Sequence, residues 1–341
     1  MSLNPGEKIL VFDIGGTSLR GAIYHADTAT ISQRSVEPTP NQWTHPELSA
    51  SQLIDALIEA IERISAKLSA QVSFAAVSIA FPGPVDLAGN IIAAPGIWGQ
   101  NPDGPLDLRT KLAPFCPRIP TYIANDLTAA GYRYLNSECN SFCLLTVSTG
   151  IGNKIFINGQ PQLGRAGISG EIGHLRVSFD EDAPLCDCGE RGHLQAVSSG
   201  RGALNLIKEL AFAQRYAFEA SLLKEMCGNR PQELTNPQIA EAFRDGDAFT
   251  VTAIESSIQP LAQALATLHM AQGLERFILI GGFAFALGER YRLALARLAR
   301  LACWDAAMDW EEMLRFGFED DDSGLIGGGG RVVALGALPE V

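Results

Sequence analysis

Apolar positions along this chain switch repeatedly between a period of two and a period near 3.6. In ILVFDIGGTSLRGAIYH (Ile9–His25), β-rich apolar runs flank Gly15 and Gly16, which reads as strand, tight turn, strand. The period then changes. Within SQLIDALIEAIERISAKLSA, Leu53, Ile54, Leu57, Ile58, Ile61, Ile64 and Leu68 fall on one helical stripe, an amphipathic helix suited to cover a sheet. FAAVSIAFPGPVD is a buried strand stopped by Pro82-Gly83-Pro84, and IPTYIAND is another that runs into the helix-like LTAAGYRYL. Strands alternating with helices predict a crossover α/β domain. The opening pattern returns in FCLLTVSTGIGNKIFINGQ, so two similar halves are expected. A helical stretch from about Gly202 to Gly273, the strand RFILIGG and the closing GLIGGGGRVVALGAL complete the chain. No low-complexity linker intervenes, which predicts two domains joined by a close hinge.

Composition narrows the function classes. A length of 341 residues suffices for two domains that each bury a core. No apolar run reaches the roughly 20 residues of a spanning helix. MSLNPGEK carries neither a basic n-region nor an apolar h-region, so the expected setting is soluble and cytoplasmic, with reduced thiols and no membrane partner. Against 38 Asp plus Glu stand 26 Lys plus Arg, a formal net charge of −12 that disfavours a nucleic-acid partner. Of seven cysteines only Cys186 and Cys188 are close, and a C-x-C disulfide is awkward.

Three constellations carry chemistry. Asp13-Ile14-Gly15-Gly16-Thr17 is either a plain hairpin or a turn whose bare backbone approaches phosphates, with Thr17 adding a hydroxyl and Asp13 facing magnesium or its waters. Its echo in Thr149-Gly150-Ile151-Gly152 favours the second reading, two turns clamping a polyphosphate, and no P-loop stretch is present. Asn125-Asp126 closes a strand and opens a helix, so it serves either as a cap or as an alcohol-orienting amide beside a general base. GEIGHLRVSFDEDAPLCDCGERGHLQ brings His174, Cys186, Cys188 and His193 together, four ligands sufficient for a structural zinc ion with no open position for water.

In this order, DIGGT, FPGPVD, ND before a helix, TGIG, GEIGH, C-x-C-G-x-x-G, IGG and a late GLIG resemble the ROK family of sugar kinases and regulators, over nearly the whole chain. The resemblance implies an α/β fold of two actin-like (ribonuclease H-like) domains with a cleft between them. The expected divisions are 1–123, a small domain; 124–323, a large domain carrying the zinc segment 174–193; and 324–341, a C-terminal helix packing back on the small domain. It implies a glucokinase-like transfer from magnesium-ATP to a hexose hydroxyl. Asp126 would be the general base, and Asn125, Glu171, His174, Gln195 and Gly83 would contact substrate. Asp13, Gly15, Gly16, Thr17, Thr149, Gly150 and Gly152 would surround the phosphates, and Gly281 and Gly282 would lie near the adenosine. A homodimer is implied as well.

Four departures from the family pattern bear on function. His193 replaces a third cysteine, and Gln195 replaces a glutamate. Asn153 and Lys154 replace glycines after the second turn, and Phe283 replaces a glycine after IGG, which would narrow the ATP site or, for Lys154, add charge there. Gln195 points away from glucose toward an amino sugar, a rarer hexose or a cyclitol. Rival readings are a noncatalytic sugar sensor, with no helix-turn-helix segment before Ile9, and a zinc hydrolase, disfavoured by the filled ligand set.

Overall fold

A computed structural model describes residues 6–69, 72–114, 119–228, 230–305 and 307–337. The chain divides into two compact units. One runs to Asn140 and adds Gly159–Ser169 and the chain from Asp320 onward; the other comprises Ser141–Asn158 and Gly170–Glu319.

In the first unit, β1 (Lys8–Ile14), β2 (Ser18–His25), β3 (Thr30–Pro38), β4 (Ala76–Phe81) and β5 (Thr121–Asn125) form one sheet in the order β3-β2-β1-β4-β5. The β1–β2 and β2–β3 pairs are antiparallel, whereas β1–β4 and β4–β5 are parallel. Parallel pairing puts the carboxyl ends of β1, β4 and β5 at one edge, where the DIGGT, FPGP and ND segments begin. That edge is where α/β sheets present ligand-binding loops.

Helix α1 (Ala50–Ser69) follows the predicted stripe, burying Leu53, Leu57, Ile61 and Ile64 in a cluster with Phe12, Leu19 and Ile79. The opposite face of the sheet, with Ile9, Val11, Ala22 and Tyr24, is closed by Leu325 and Val332 of the C-terminal helix Ser323–Ala337. α2 (Asp126–Gly131) starts directly at the end of β5. The first unit therefore extends past the expected break after residue 123, because β5 is hydrogen-bonded to β4 and the C-terminal helix packs on α2.

The second unit repeats the plan. β6 (Phe142–Val147) pairs antiparallel with β7 (Ile151–Ile157) and parallel with β8 (Phe277–Ile280), and β8 pairs parallel with β9 (Leu314–Phe316). The order β7-β6-β8-β9 matches β2-β1-β4-β5, so the echo read in the sequence is a repeated topology. Its core joins Leu145, Val147 and Phe277 to helices that include Ala248–Gln272 and Glu289–Ala302. The 25-residue helix is capped by the Asp247 side chain and ended by Gly273 at φ 66°. No helix of the described residues is long and apolar enough to cross a membrane.

Candidate functional site

At the end of β1 the Asp13 side chain is mostly buried and pairs with Arg20 at 3.1 Å. Burial pushes its carboxyl above the ordinary aspartate value, against the opposing pull of the Arg20 guanidinium. The turn behind it closes through a 2.9 Å bond from Gly15 N to Ser18 O. Thr17 is exposed.

The Asn125-Asp126 pair divides its labour in a way local sequence left open. Asn125 is the cap: its Oδ1 accepts from Leu127 N at 3.1 Å and Thr128 N at 3.2 Å. Its Nδ2 donates to Gly83 O at 3.1 Å and to Asp126 Oδ1 at 2.8 Å. A carboxamide has two donor hydrogens and two acceptor lone pairs, so Asn125 is saturated. In this structure it braces Asp126, and an alcohol could bind it only by displacing one of these bonds. Asp126 Oδ1 also accepts from Leu127 N at 2.8 Å, which fixes the carboxylate at the helix start. Gly83 completes the brace. It adopts φ 150°, and a Cβ there would lie 2.5 Å from Ala93 O, so only glycine lets its carbonyl reach Asn125.

In the second unit, Gly150 and Gly281 stand at the carboxyl ends of β6 and β8. Ser148 N donates to Gly150 O at 2.9 Å to form the turn. Gly281 has φ 108°, and a Cβ would lie 2.5 Å from Val147 O, so the two turns meet backbone to backbone. Beside them lies a pocket of about 350 Å³ lined by Ser148, Thr149, Asn236, Arg244, Gly282 and Phe283 among others. Phe283 does not fill it: the ring is 6% exposed, packs within the core and meets Tyr291 at 6.5 Å between centroids. Asn153 and Lys154 are also buried, on β7. Asn153 Oδ1 accepts from Ile172 N at 3.2 Å, and its own N–H reaches Gly170 O at 3.2 Å, so it pins the GEIGH segment. Lys154 lies along Gly170, with Cε 3.4 Å from where a Cβ would sit. Glu171, in that segment, is exposed and makes no side-chain cap bond.

His174, Cys186, Cys188 and His193 converge, their ligand atoms all within 4.8 Å of one another. His174 Nδ1 lies 3.4 Å from His193 Nδ1 and 3.9 Å from Cys186 Sγ, and Cys188 Sγ lies 3.2 Å from His193 Nδ1. Tetrahedral zinc, about 2.0–2.1 Å from nitrogen and 2.3 Å from sulfur, spaces its donors roughly 3.3–3.8 Å apart. The donor set therefore fits zinc in chemistry, and these three separations of 3.2–3.9 Å lie close to that spacing. Both histidines turn Nδ1 inward, which leaves Nε2 of His174 outside the tetrahedron.

Gln195 is tied to this cluster. Its Nε2 donates to Cys186 Sγ at 2.9 Å, and its Oε1 would lie 3.1 Å from a Cβ on Gly150 and 3.4 Å from one on Gly173. The amide thus wedges between the ligand set and the second turn, a link a glutamate could not make because a carboxylate has no N–H to give a thiolate. Two further residues, Thr39 and Asn41, hold the first turn from behind. They are distant in sequence from that turn and carried no motif signal.

Over 335 residues the chain is 39% identical to a C(7)-cyclitol 7-kinase of Streptomyces hygroscopicus subsp. limoneus, covering 96% of this chain and 95% of that protein. It is 29% identical over 312 residues to a 2-epi-5-epi-valiolone 7-kinase of Actinoplanes sp., covering 86% and 83% respectively. Among solved structures it resembles a ROK hexokinase from Thermus thermophilus, with a TM-score of 0.69, 27% identity and coverage of 94% and 96%. Residues 9–311 match the family model described as ROK family, the same span that carries both glycine turns, the braced aspartate and the Cys/His cluster, and the chain belongs to that family.

Proposed function

We propose that this protein is an ATP-dependent kinase for a hexose-like alcohol and that its acceptor is a cyclitol rather than glucose. The observation that carries the kinase reading is the Asp126 carboxylate, held by Asn125 and Leu127 N at the carboxyl edge of a parallel sheet. Asp126 takes the proton of the attacking hydroxyl, while Asn125 keeps the carboxylate oriented. In the first unit the bare turn Gly15-Gly16-Thr17 is a phosphate-binding turn; in the second unit Thr149-Gly150 is another, beside the 350 Å³ pocket at Gly282, which suits a nucleoside. Asp13 is the carboxylate for magnesium, which supplies charge neutralisation of the transferring phosphoryl group when bound. His174, Cys186, Cys188 and His193 hold zinc in a structural role, which fits a reducing cytoplasm.

The cyclitol reading rests on the 39% identity to a cyclitol kinase over nearly both chains and on Gln195. With its N–H on Cys186, Gln195 gives the substrate no carboxylate at a position where sugar kinases of the family usually present one. Phe283 lies in the core and Asn153 in the GEIGH anchor, so neither departure argues for a noncatalytic sensor.

A panel of alcohols assayed with magnesium-ATP, with ADP release and product mass as readouts, tests this. The expected result is a cyclitol phosphate formed in preference to glucose phosphate, with kcat lowered about 10²–10⁴-fold by Asp126→Asn. A clear preference for glucose removes the cyclitol reading. Sugar binding without turnover of any alcohol removes the kinase reading.

A further inference from the structure

The first glycine turn owes its shape to a loop more than twenty residues away. Thr39 and Asn41, just beyond β3, are only 2% and 3% exposed. Thr39 Oγ1 donates to Gly15 O at 2.8 Å, and Asn41 Nδ2 donates to Gly16 O at 2.9 Å. Thr39 N donates to Thr17 O at 3.1 Å. Three successive carbonyls of the turn are thus drawn to one side.

Asn41 itself has no freedom to let go. Nδ2 also donates to Thr39 O at 3.1 Å, and Oδ1 accepts from Trp43 N and Thr44 N, both at 2.9 Å. All four bonding positions of the amide are filled.

A trans peptide is planar, and its N–H points opposite to its C=O. Pinning the carbonyls of Gly15 and Gly16 therefore aims the N–H groups of Gly16 and Thr17 away from Thr39 and Asn41. Among the described residues neither N–H has a hydrogen-bond partner, and Thr17 is exposed. Adjacent, unpartnered backbone donors are what an anionic oxygen takes.

We propose that Thr39 and Asn41 are positioning residues that preset the Gly16 and Thr17 N–H groups for a phosphate oxygen of the nucleotide; the inference rests on the ATP reading above. They touch neither phosphate nor acceptor. Their effect is that the donors need not be reoriented when the anion arrives, which is where preorganised amides gain over water.

The test compares magnesium-ADP with adenosine by calorimetric titration of the intact protein, because adenosine carries no phosphate. Thr39→Val keeps the side-chain shape and removes the hydroxyl donor, Thr39→Ser restores that donor, and Asn41→Ala removes the second anchor. The expected result is ADP affinity about tenfold weaker in Thr39→Val and in Asn41→Ala, equivalent to one net hydrogen bond. Adenosine affinity stays within about twofold, and Thr39→Ser recovers ADP binding. An equal fall for both ligands, or no fall for ADP, overturns the inference. If Asn41→Ala does not fold, the valine and serine pair at position 39 still decides. Wild-type protein that binds ADP no better than adenosine would sink the nucleotide reading together with this inference. Wild-type discrimination left intact by Thr39→Val sinks the inference alone.

Discussion

Asp13 is a residue whose ionisation the fold opposes. Burial raises its carboxyl above the ordinary value, and Gly324 leaves only bare backbone beside it, where a Cβ would lie 2.5 Å from Asp13 Cγ. Between the unfolded and the raised folded value the native state binds more protons than the unfolded chain, so stability falls as pH rises through that window. The favourable contribution is fully present below the unfolded value and lost above the folded one, where the carboxyl is ionised. Asp13→Asn should therefore gain stability relative to wild type as pH rises from the unfolded aspartate value through the raised folded one, while turnover with magnesium-ATP collapses. Melting temperatures across that range, set beside kcat, check this; a difference independent of pH would refute it. Asp13, the paired glycines and Asp126 were legible because polar and bare residues at apolar strand ends are conspicuous. Thr39 and Asn41 were not, since TPN in a loop looks like any turn and its bonds to Gly15 and Gly16 exist only after β3 has folded onto β2. Gln195 was legible as a departure, but its link to Cys186 needed the knuckle in three dimensions.

Among elements, the C-terminal helix is the one whose residues most contradict its conformation. SGLIGGGGRVVALGA has four consecutive glycines, each costing a helix about 1 kcal/mol relative to alanine. Packing explains them. A Cβ on Gly329 would lie 2.2 Å from the Tyr24 ring and one on Gly327 would lie 2.2 Å from Ala129 O, so the helix approaches β2 and α2 as closely as backbone allows. Gly330 differs, with nothing nearer than 3.7 Å. Gly329→Ala should destabilise by about 1–3 kcal/mol through overpacking against the buried Tyr24, whereas Gly330→Ala should be neutral or stabilise by up to about 1 kcal/mol. Denaturant unfolding of the two variants separates close packing from propensity; equal effects would dismiss the packing account. β3 illustrates the opposite difficulty. TISQRSVEP has no buried position, so neither an apolar run nor a clean alternation announces it, and its place at the sheet edge comes from pairing with β2. α1 needed no such help, because its stripe is complete within one helix.

Among the described residues, most of the buried apolar side chains fall in three clusters, and the Cys/His knuckle contributes little to any of them. Between residues 178 and 193 the described side chains supply no member of the large cluster of the second unit, whereas Leu194, immediately after, is fully buried in it. What orders the knuckle is short-range: Val177 N to Gly192 O at 2.7 Å, Cys186 N to Glu190 O at 2.8 Å, Gly192 N to Pro184 O at 2.9 Å, and four converging ligands. A segment with few buried apolar contacts opens at a free energy well below the global one unless something else ties it down, and zinc held by Cys186, Cys188, His174 and His193 would be that tie. Chelation should therefore raise hydrogen exchange at Val177, Cys186 and Gly192 strongly while β6 and β8, buried in the same unit, keep their protection. Trypsin should gain access at Arg191, whose guanidinium now reaches Ala183 O at 2.8 Å. Because Gln195 bonds Cys186 and its Oε1 lies in the space a Cβ on Gly150 would need, loosening should pass to the second turn as well, weakening nucleotide binding before the core unfolds. If exchange in the knuckle is indifferent to the chelator, the ligand set holds no metal of consequence; if β6 and β8 lose protection together with the knuckle, the metal secures the unit as a whole rather than this one segment.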